Sequence, residues 1–268
     1  MNRAAFFDID GTLIDASRGI LQMSSRVKDA LHRLQESGCG IFIATGRPYA
    51  FLPPEIRSFG FDGFILMNGA LVMHDDIAIF NKPIPRSIVK DTRELCDAND
   101  IEYVLEGKYH SYLSKDFKAM EGFYESYDIP SKIFTRDFEP TDVYKMEFYS
   151  ENERAPKIYK KLLKDKRMTG LFDTAHERNF EYYSASETKG TGVLHMMEHL
   201  DMPRSKSFGF GDGVNDVDMM GAVGTALAMG NGHQDLKDVS SHVIPSVSDD
   251  GVAVGIERYI LGYSCSPS

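Results

Sequence analysis

The chain has 268 residues, of which 42% are apolar and 26% charged, and 30 Lys and Arg against 40 Asp and Glu give a net charge of −10. That length can bury one large core or two ordinary ones, and the acidic balance argues against nucleic-acid binding, which depends on neutralising phosphates. Three widely spaced cysteines (Cys39, Cys96, Cys265), no basic-apolar leader and no stretch long enough to span a membrane point to a reducing cytoplasm without a disulfide framework.

The first apolar run, residues 4–7, reads as a buried strand and ends in Asp8-Ile9-Asp10-Gly11-Thr12. Val27, Leu31 and Leu34 then repeat at helical spacing, with Gly38 as the stop. A second strand, 41–44, runs into Thr45-Gly46-Arg47, and a third, 64–67, into Asn68-Gly69-Ala70. This βαβ rhythm predicts a parallel sheet with right-handed crossovers.

At 82–85 the sequence Lys-Pro-Ile-Pro reads as a stiff linker, and the texture changes. Aromatic, alternating strands are expected at 103–106, 109–113, 144–149 and 180–183, with helices over 86–98, 115–126 and 154–165. Alternation predicts an antiparallel sheet with one wet face. From 190 the first texture returns: a helix to 200, a strand at 207–210, a helix at 215–222, and strands at 225–229 and 242–244. The tail 264–268 is expected to fray. The expected fold is therefore an α/β, Rossmann-like doubly wound parallel sheet core (1–82 and 186–268) with an inserted α+β cap domain (83–185).

The strand at 207–210 ends in Gly211-Asp212-Gly213-Val214-Asn215-Asp216. Ligands of open parallel sheets sit beyond the carboxyl ends of the strands. If the two acid-ending strands are neighbours, four carboxylates meet, and their repulsion calls for a cation. An all-oxygen set suits Mg²⁺ before Zn²⁺. Asp8, ionised beside Mg²⁺, can attack phosphorus in line. Asp10 can protonate the leaving oxygen and then take a proton from water. Thr45 and Gly46 can donate to phosphoryl oxygens, whereas Arg47 has two readings, a phosphate contact or a salt bridge at the domain edge. Lys189 opens a helix at the return from the insert and can balance the nucleophile and the transferring group. Asp212 is the expected direct metal ligand; Asp216 either binds through water or orients Lys189. Asn215 can donate to a phosphoryl oxygen or to Asp8, and Asp218 reads as a plain helix-start acid.

Two other patterns read as ordinary surface. His195 and His199 have the spacing of a zinc pair, but Met196 stands where a zincin needs Glu and no third ligand is identifiable. Lys157, Lys160, Lys161 and Lys164 describe a solvated helix face.

With these motifs in order, the chain resembles the haloacid-dehalogenase-like (HAD) superfamily of phosphotransferases, and within it the Cof-like phosphatases with a subclass IIB cap. Residues 228–232 and 249–253 are also similar to Cof-like sequences. The resemblance implies Asp8 as nucleophile and Asp10 as general acid/base, with Thr45 and Lys189 stabilising the phosphoryl group and Asn215 supporting it. It implies Mg²⁺ on Asp8, the backbone carbonyl of Asp10, and Asp212, with Asp216 in support. Arg47, Asn68 and Gly69 would line the substrate entrance, and the cap would close over the site about hinges at 83–85 and 184–188. The expected activity is hydrolysis of small phosphorylated metabolites, such as sugar phosphates, through an aspartyl phosphate. Two alternatives stay open: a phosphomutase of the same superfamily, and a non-catalytic phosphate-binding regulatory module. A P-type ATPase is excluded by the missing membrane spans. Neither a nucleic acid nor a membrane is an expected partner, and the oligomeric state is not legible.

Overall fold

Short apolar runs bounded by polar turns become the strands, and apolar residues three and four apart become the helices. The structure, a computed structural model, describes residues 1–114, 119–126, 129, 131–136, 142–172 and 178–263. The first stretch holds β1 (Arg3–Phe7), α1 (Ser25–Glu36), β2 (Cys39–Ala44), α2 (Pro54–Ser58), β3 (Gly63–Leu66), β4 (Leu71–His74) and β5 (Ile77–Asn81). The second holds α3 (Arg86–Asp97), β6 (Glu102–Glu106), β7 (Ser111–Leu113), α4 (Ala119–Ser126), β8 (Phe134–Thr135), β9 (Lys145–Tyr149), α5 (Ala155–Leu162), β10 (Met168–Phe172) and β11 (Asn179–Ser184). The last holds α6 (Lys189–His199), β12 (Ser207–Gly211), α7 (Val217–Ala222), β13 (Thr225–Met229), α8 (Gln234–Val239), β14 (His242–Ile244) and α9 (Gly251–Gly255). The helix expected over 115–126 is helical from Ala119; residues 115–118 and the 264–268 tail, with Cys265, lie outside the described residues.

The chain divides into two compact units: Met1–Gly46 with Pro53–Asn81 and Glu187–Ser268, and Arg47–Leu52 with Lys82–Ser186. Residues 47–52, assigned above to the core, cluster with the second unit. The reason is packing: Ala50 and Phe51 are buried among Val104, Leu113, Met120 and Tyr124.

In the first unit the described strands form a sheet in the order β14-β13-β12-β1-β2-β3-β4-β5. From β14 to β3 every pair is parallel. The hairpin β4–β5, which the sequence reading did not anticipate, extends the sheet antiparallel. Its turn uses Asp75 and Asp76 at φ 48° and 62°, the left-handed pair that a tight two-residue hairpin needs. One face of the sheet (Phe6, Phe42, Ala44, Ile65) packs on Val193 and Met196 of α6 and on Met219 and Met220 of α7. On the other face Phe7 stacks on Phe210 with centroids 4.6 Å apart. There α9 lies against Phe210 and α1 packs on β2 and α9. The sheet is thus covered on both faces, and each buried large apolar side chain contributes about 1.5–3 kcal/mol. Helix α1 starts where Ser24 Oγ accepts from the Val27 amide at 3.1 Å, and it buries Val27, Ala30, Leu31 and Leu34.

The second unit's described strands run β10-β11-β9-β6-β7-β8. Pairing is antiparallel except between β7 and β8. One face is an apolar core of Tyr103, Leu105, Met146, Phe148, Phe180 and Tyr182 against α3 and α5. The opposite face is not simply wet. Glu106 faces Lys145, and Glu147 faces Glu181, across neighbouring strands. Lys145 Nζ lies 3.3 Å from Glu106, 2.8 Å from Glu147 and 3.5 Å from Glu181. Opposite charges pair there and withdraw from water, so Glu106 and Lys145 are buried.

Cys39 and Cys96 are buried free thiols. No helix among the described residues is long and apolar enough to cross a membrane.

Candidate active site

The site is built at the carboxyl ends of adjacent parallel strands in the first unit. Strand β1 lies between β12 and β2, with Phe7 level with Phe210 and with Ile43. The backbone therefore carries the residues that follow to one end of the sheet: Asp8 directly after β1, with Thr45 after β2 and Asp212 after β12 one residue beyond its level. The Asp8 amide donates to the Phe210 carbonyl at 2.9 Å, and the Thr45 amide to the Ile65 carbonyl at 2.9 Å.

Lys189 is the first residue of α6, and its position follows from a local capping signal. Thr188 Oγ1 accepts from the Thr191 amide at 3.2 Å while Thr191 Oγ1 accepts from the Thr188 amide at 2.9 Å, a reciprocal cap that fixes the helix start. From there Lys189 Nζ donates to Asp8 Oδ1 and to Asp216 Oδ1, each at 2.6 Å. All three side chains are buried, Lys189 to 1% exposure. The second Asp216 oxygen, Oδ2, accepts from the amides of Asp212 at 3.0 Å and Gly213 at 2.9 Å. Both oxygens of Asp216 are thus engaged, one holding the lysine and the other holding the turn that carries Asp212.

The Asp8-Ile9-Asp10-Gly11 turn is closed by the Leu13 and Ile14 amides on the Ile9 carbonyl and by the Gly11 amide on the Ile14 carbonyl. Gly11 has φ +81°, and a Cβ built on it would come within 2.0 Å of Asp212 Oδ2. Only a residue without a side chain lets the two acid-bearing turns approach this closely. Asn231, which the sequence reading did not single out, ties the turn down: its Nδ2 donates to the Gly11 carbonyl at 2.8 Å and its Oδ1 accepts from the Val247 amide at 2.9 Å. Asp10 is exposed beyond the turn.

The remaining predicted residues divide between the units. Asn68 is buried, its amide donates to the Thr45 carbonyl at 3.1 Å, and its Oδ1 accepts from Asn215 Nδ2 at 3.4 Å. Gly46 abuts the Asn68 side chain and Gly69 the Thr188 carbonyl. Met67 and Asn68 hold left-handed φ of 49° and 52°, a strain of about 1–3 kcal/mol each that persists where surroundings over-determine the backbone. Arg47 falls in the second unit, where its Nη1 donates to the Phe51 carbonyl at 3.0 Å and its charge acts on Glu147.

The electrostatics report an excess of negative charge. Burial pushes the Asp8 carboxyl well above its ordinary value; Lys189 opposes this, and the charges of Asp216, Asp10 and Asp212 add to it. Asp212 is raised to about 7, first by burial and then by Asp216, with Lys189 opposing. Burial alone would lower Lys189, but Asp216 and Asp8 more than offset it and hold the ammonium charged. One ammonium does not balance this many carboxylates. Asp8, Asp212 and Asp216 each bring one oxygen to within 4.8 Å of the others, so the three could hold a metal ion. The donor set is all oxygen, which fits a hard divalent cation. Asp10 contributes no side-chain oxygen to that group.

A family model described as haloacid dehalogenase-like hydrolase matches residues 5–256. The chain is 25% identical over 264 residues to the putative phosphatase YkrA of Bacillus subtilis (strain 168), covering 96% of this chain and 97% of that one. Among solved structures, a hypothetical protein from Geobacillus kaustophilus HTA426 superposes with a TM-score of 0.84 at 26% identity, covering 96% of this chain and 98% of that one. The HAD subclass IIB sugar phosphatase BT4131 shares the fold, with a TM-score of 0.79 at 24% identity and coverage of 96% and 98%.

Proposed function

The chain belongs to the haloacid dehalogenase-like hydrolase family and is a phosphatase, and from that premise we propose that it hydrolyses small phosphorylated metabolites, sugar phosphates among them, through a phosphoryl group carried on Asp8. The observation that carries this reading is the buried Lys189 ammonium shared between Asp8 and Asp216 at 2.6 Å each, beside the Asp212 turn.

Lys189 engages Oδ1 of Asp8, which leaves Oδ2 as the oxygen that attacks phosphorus. As the Asp8–phosphorus bond forms, the bond from phosphorus to the substrate oxygen breaks, and Asp10 delivers a proton to that oxygen. Asp10 then takes a proton from water, the water oxygen bonds to phosphorus, and the Asp8–phosphorus bond breaks to release inorganic phosphate. Thr45, at the end of the neighbouring strand, and Asn215, anchored on Asn68, present donors to phosphoryl oxygens. Lys189 balances charge on Asp8 throughout. Asp216 acts by position, orienting the lysine and the Asp212 turn together. Mg²⁺ is the cation we assign to Asp8 and Asp212, where it would supply charge neutralisation for the phosphoryl oxygens.

The test is phosphate release from a panel of sugar phosphates, nucleotides, pyridoxal phosphate and flavin mononucleotide, with Mg²⁺ and with chelator. Steady release that needs Mg²⁺ and disappears in Asp8→Asn supports the reading. Turnover that survives Asp8→Asn with the same phosphoenzyme chemistry overturns it.

A further inference from the structure

Outside the acidic site, two imidazoles meet. His74 closes β4 and His199 closes α6, and their ring atoms Nδ1 and Nε2 lie 3.1 Å apart. His195, the helical neighbour that spacing alone would pair with His199, is instead stacked on Phe80 with centroids 3.8 Å apart.

We propose that His74 and His199 form a two-imidazole site for a borderline divalent transition metal, Zn²⁺, Ni²⁺ or Cu²⁺, distinct from the acidic triad. The distance is the first support. Two nitrogens bound to one metal at ~2.0–2.1 Å sit about 3.3 Å apart in a tetrahedral sphere and about 3.0 Å apart in an octahedral one. The observed 3.1 Å lies between them. Ring orientation is the second. The imidazole planes stand at 76° with centroids 5.2 Å apart, so the rings do not stack and their nitrogen edges are left to meet. Preorganisation is the third. The His74 side chain is only 15% exposed and packs against Phe42. The exposed Asp75 carboxylate lies 4.0 Å from Nε2 of His74, the ring nitrogen that His199 does not meet.

In the absence of metal, one N–H between the rings makes a hydrogen bond. On binding, that proton moves to the outer nitrogen of its ring, both inner lone pairs coordinate, and water fills the other positions. No redox partner is required. Imidazole selects these metals over Mg²⁺, so the two sites sort by chemistry. They are also separated in space: His199 lies ten residues along α6 from Lys189, about 15 Å at the helical rise.

The experiment titrates Ni²⁺ into the 268-residue chain with saturating Mg²⁺ present, read by calorimetry and by the thermal unfolding midpoint. One Ni²⁺ per chain is expected, with a rise in the midpoint. His74→Ala and His199→Gln should each weaken binding on the order of tenfold or more, and His195→Ala should not. Cu²⁺ electron paramagnetic resonance gives a readout independent of stability: coupling to two nitrogens in the parent and to one in either variant. Absence of Ni²⁺ binding with Mg²⁺ present would reduce the pair to a hydrogen bond and overturn the proposal. Binding unchanged in both His74→Ala and His199→Gln would overturn it equally.

Discussion

Replacing Gly11 with Ala tests whether the closeness of two turns sets the activity. Gly11 has φ +81°, so an alanine there carries about 1–2 kcal/mol of left-handed strain. The new methyl would also come within 2.0 Å of Asp212 Oδ2, inside the 3.0 Å that real Cβ atoms keep. Asp212 must therefore retreat by about 1 Å, and a misplacement of that size can cost on the order of 100-fold in rate. Gly19→Ala is the matched control: its φ is +74°, but nothing lies within 4 Å of the added methyl. Urea denaturation should show a loss of about 1–2 kcal/mol in Gly19→Ala and at least that in Gly11→Ala, where the displaced Asp212 adds to the strain. Phosphatase assays across a Mg²⁺ titration should show a raised half-saturation and the large loss of kcat/KM in Gly11→Ala alone. Parent-like Mg²⁺ dependence in Gly11→Ala, or an equal loss of activity in Gly19→Ala, would refute the reasoning.

Lys189→Met leaves Asp8 and Asp216 buried without their counter-ion, so unfolding free energy should fall by about 3–5 kcal/mol and turnover should be lost; Lys189→Arg should not restore turnover, because a planar fork does not replace a point charge between two oxygens. Asp10→Asn should slow both formation and breakdown of the phosphoenzyme, by about 10²–10⁴-fold in single-turnover quench-flow; loss of only one step would limit Asp10 to that step. Glu147 is held well above its ordinary value, first by burial and then by the charges of Glu106 and Glu181. The folded state therefore binds the extra proton, and stability should fall as pH rises from the unfolded value of about 4.3, by up to ~1.4 kcal/mol per unit until the folded value is passed. Glu147→Gln should flatten that slope, with Glu106 keeping a share because burial raises its carboxyl too, and should gain on the parent between pH 5 and 7 in urea titrations; a steeper slope in the variant would contradict the assignment.

The acid-bearing turns were legible because each follows an apolar run and a parallel sheet aligns strand ends, which brings Asp8, Thr45 and Asp212 to one end of the sheet within a residue of one another. The role of Asp216 was not, since its spacing fitted either a water-mediated ligand or an orienting group; its two oxygens settle where it points only in three dimensions. The β4–β5 hairpin was missed because its turn is Asp75-Asp76, without the glycine that usually marks one. Alternation in β6 and β9 suggested a wet face, but pattern cannot tell a solvated charge from Lys145 paired with Glu106. Asn231 lies in the noted 228–232 segment, but its role was not legible: its partners, Gly11 and Val247, are distant in sequence and both offer backbone atoms.

The bond from Lys189 to Asp8 joins the helix after the excursion to the strand before it. Closing a flexible loop grows costlier only with the logarithm of its length, so doubling a segment of roughly a hundred residues adds only about 0.6 kcal/mol. Even counted as a flexible loop, the stretch between Asn81 and Glu187 can change in length at little closure cost to the ammonium–carboxylate contact; it is in fact folded about its own core. Such a joint lets the inserted unit diverge while the ammonium–carboxylate contact stays as it is.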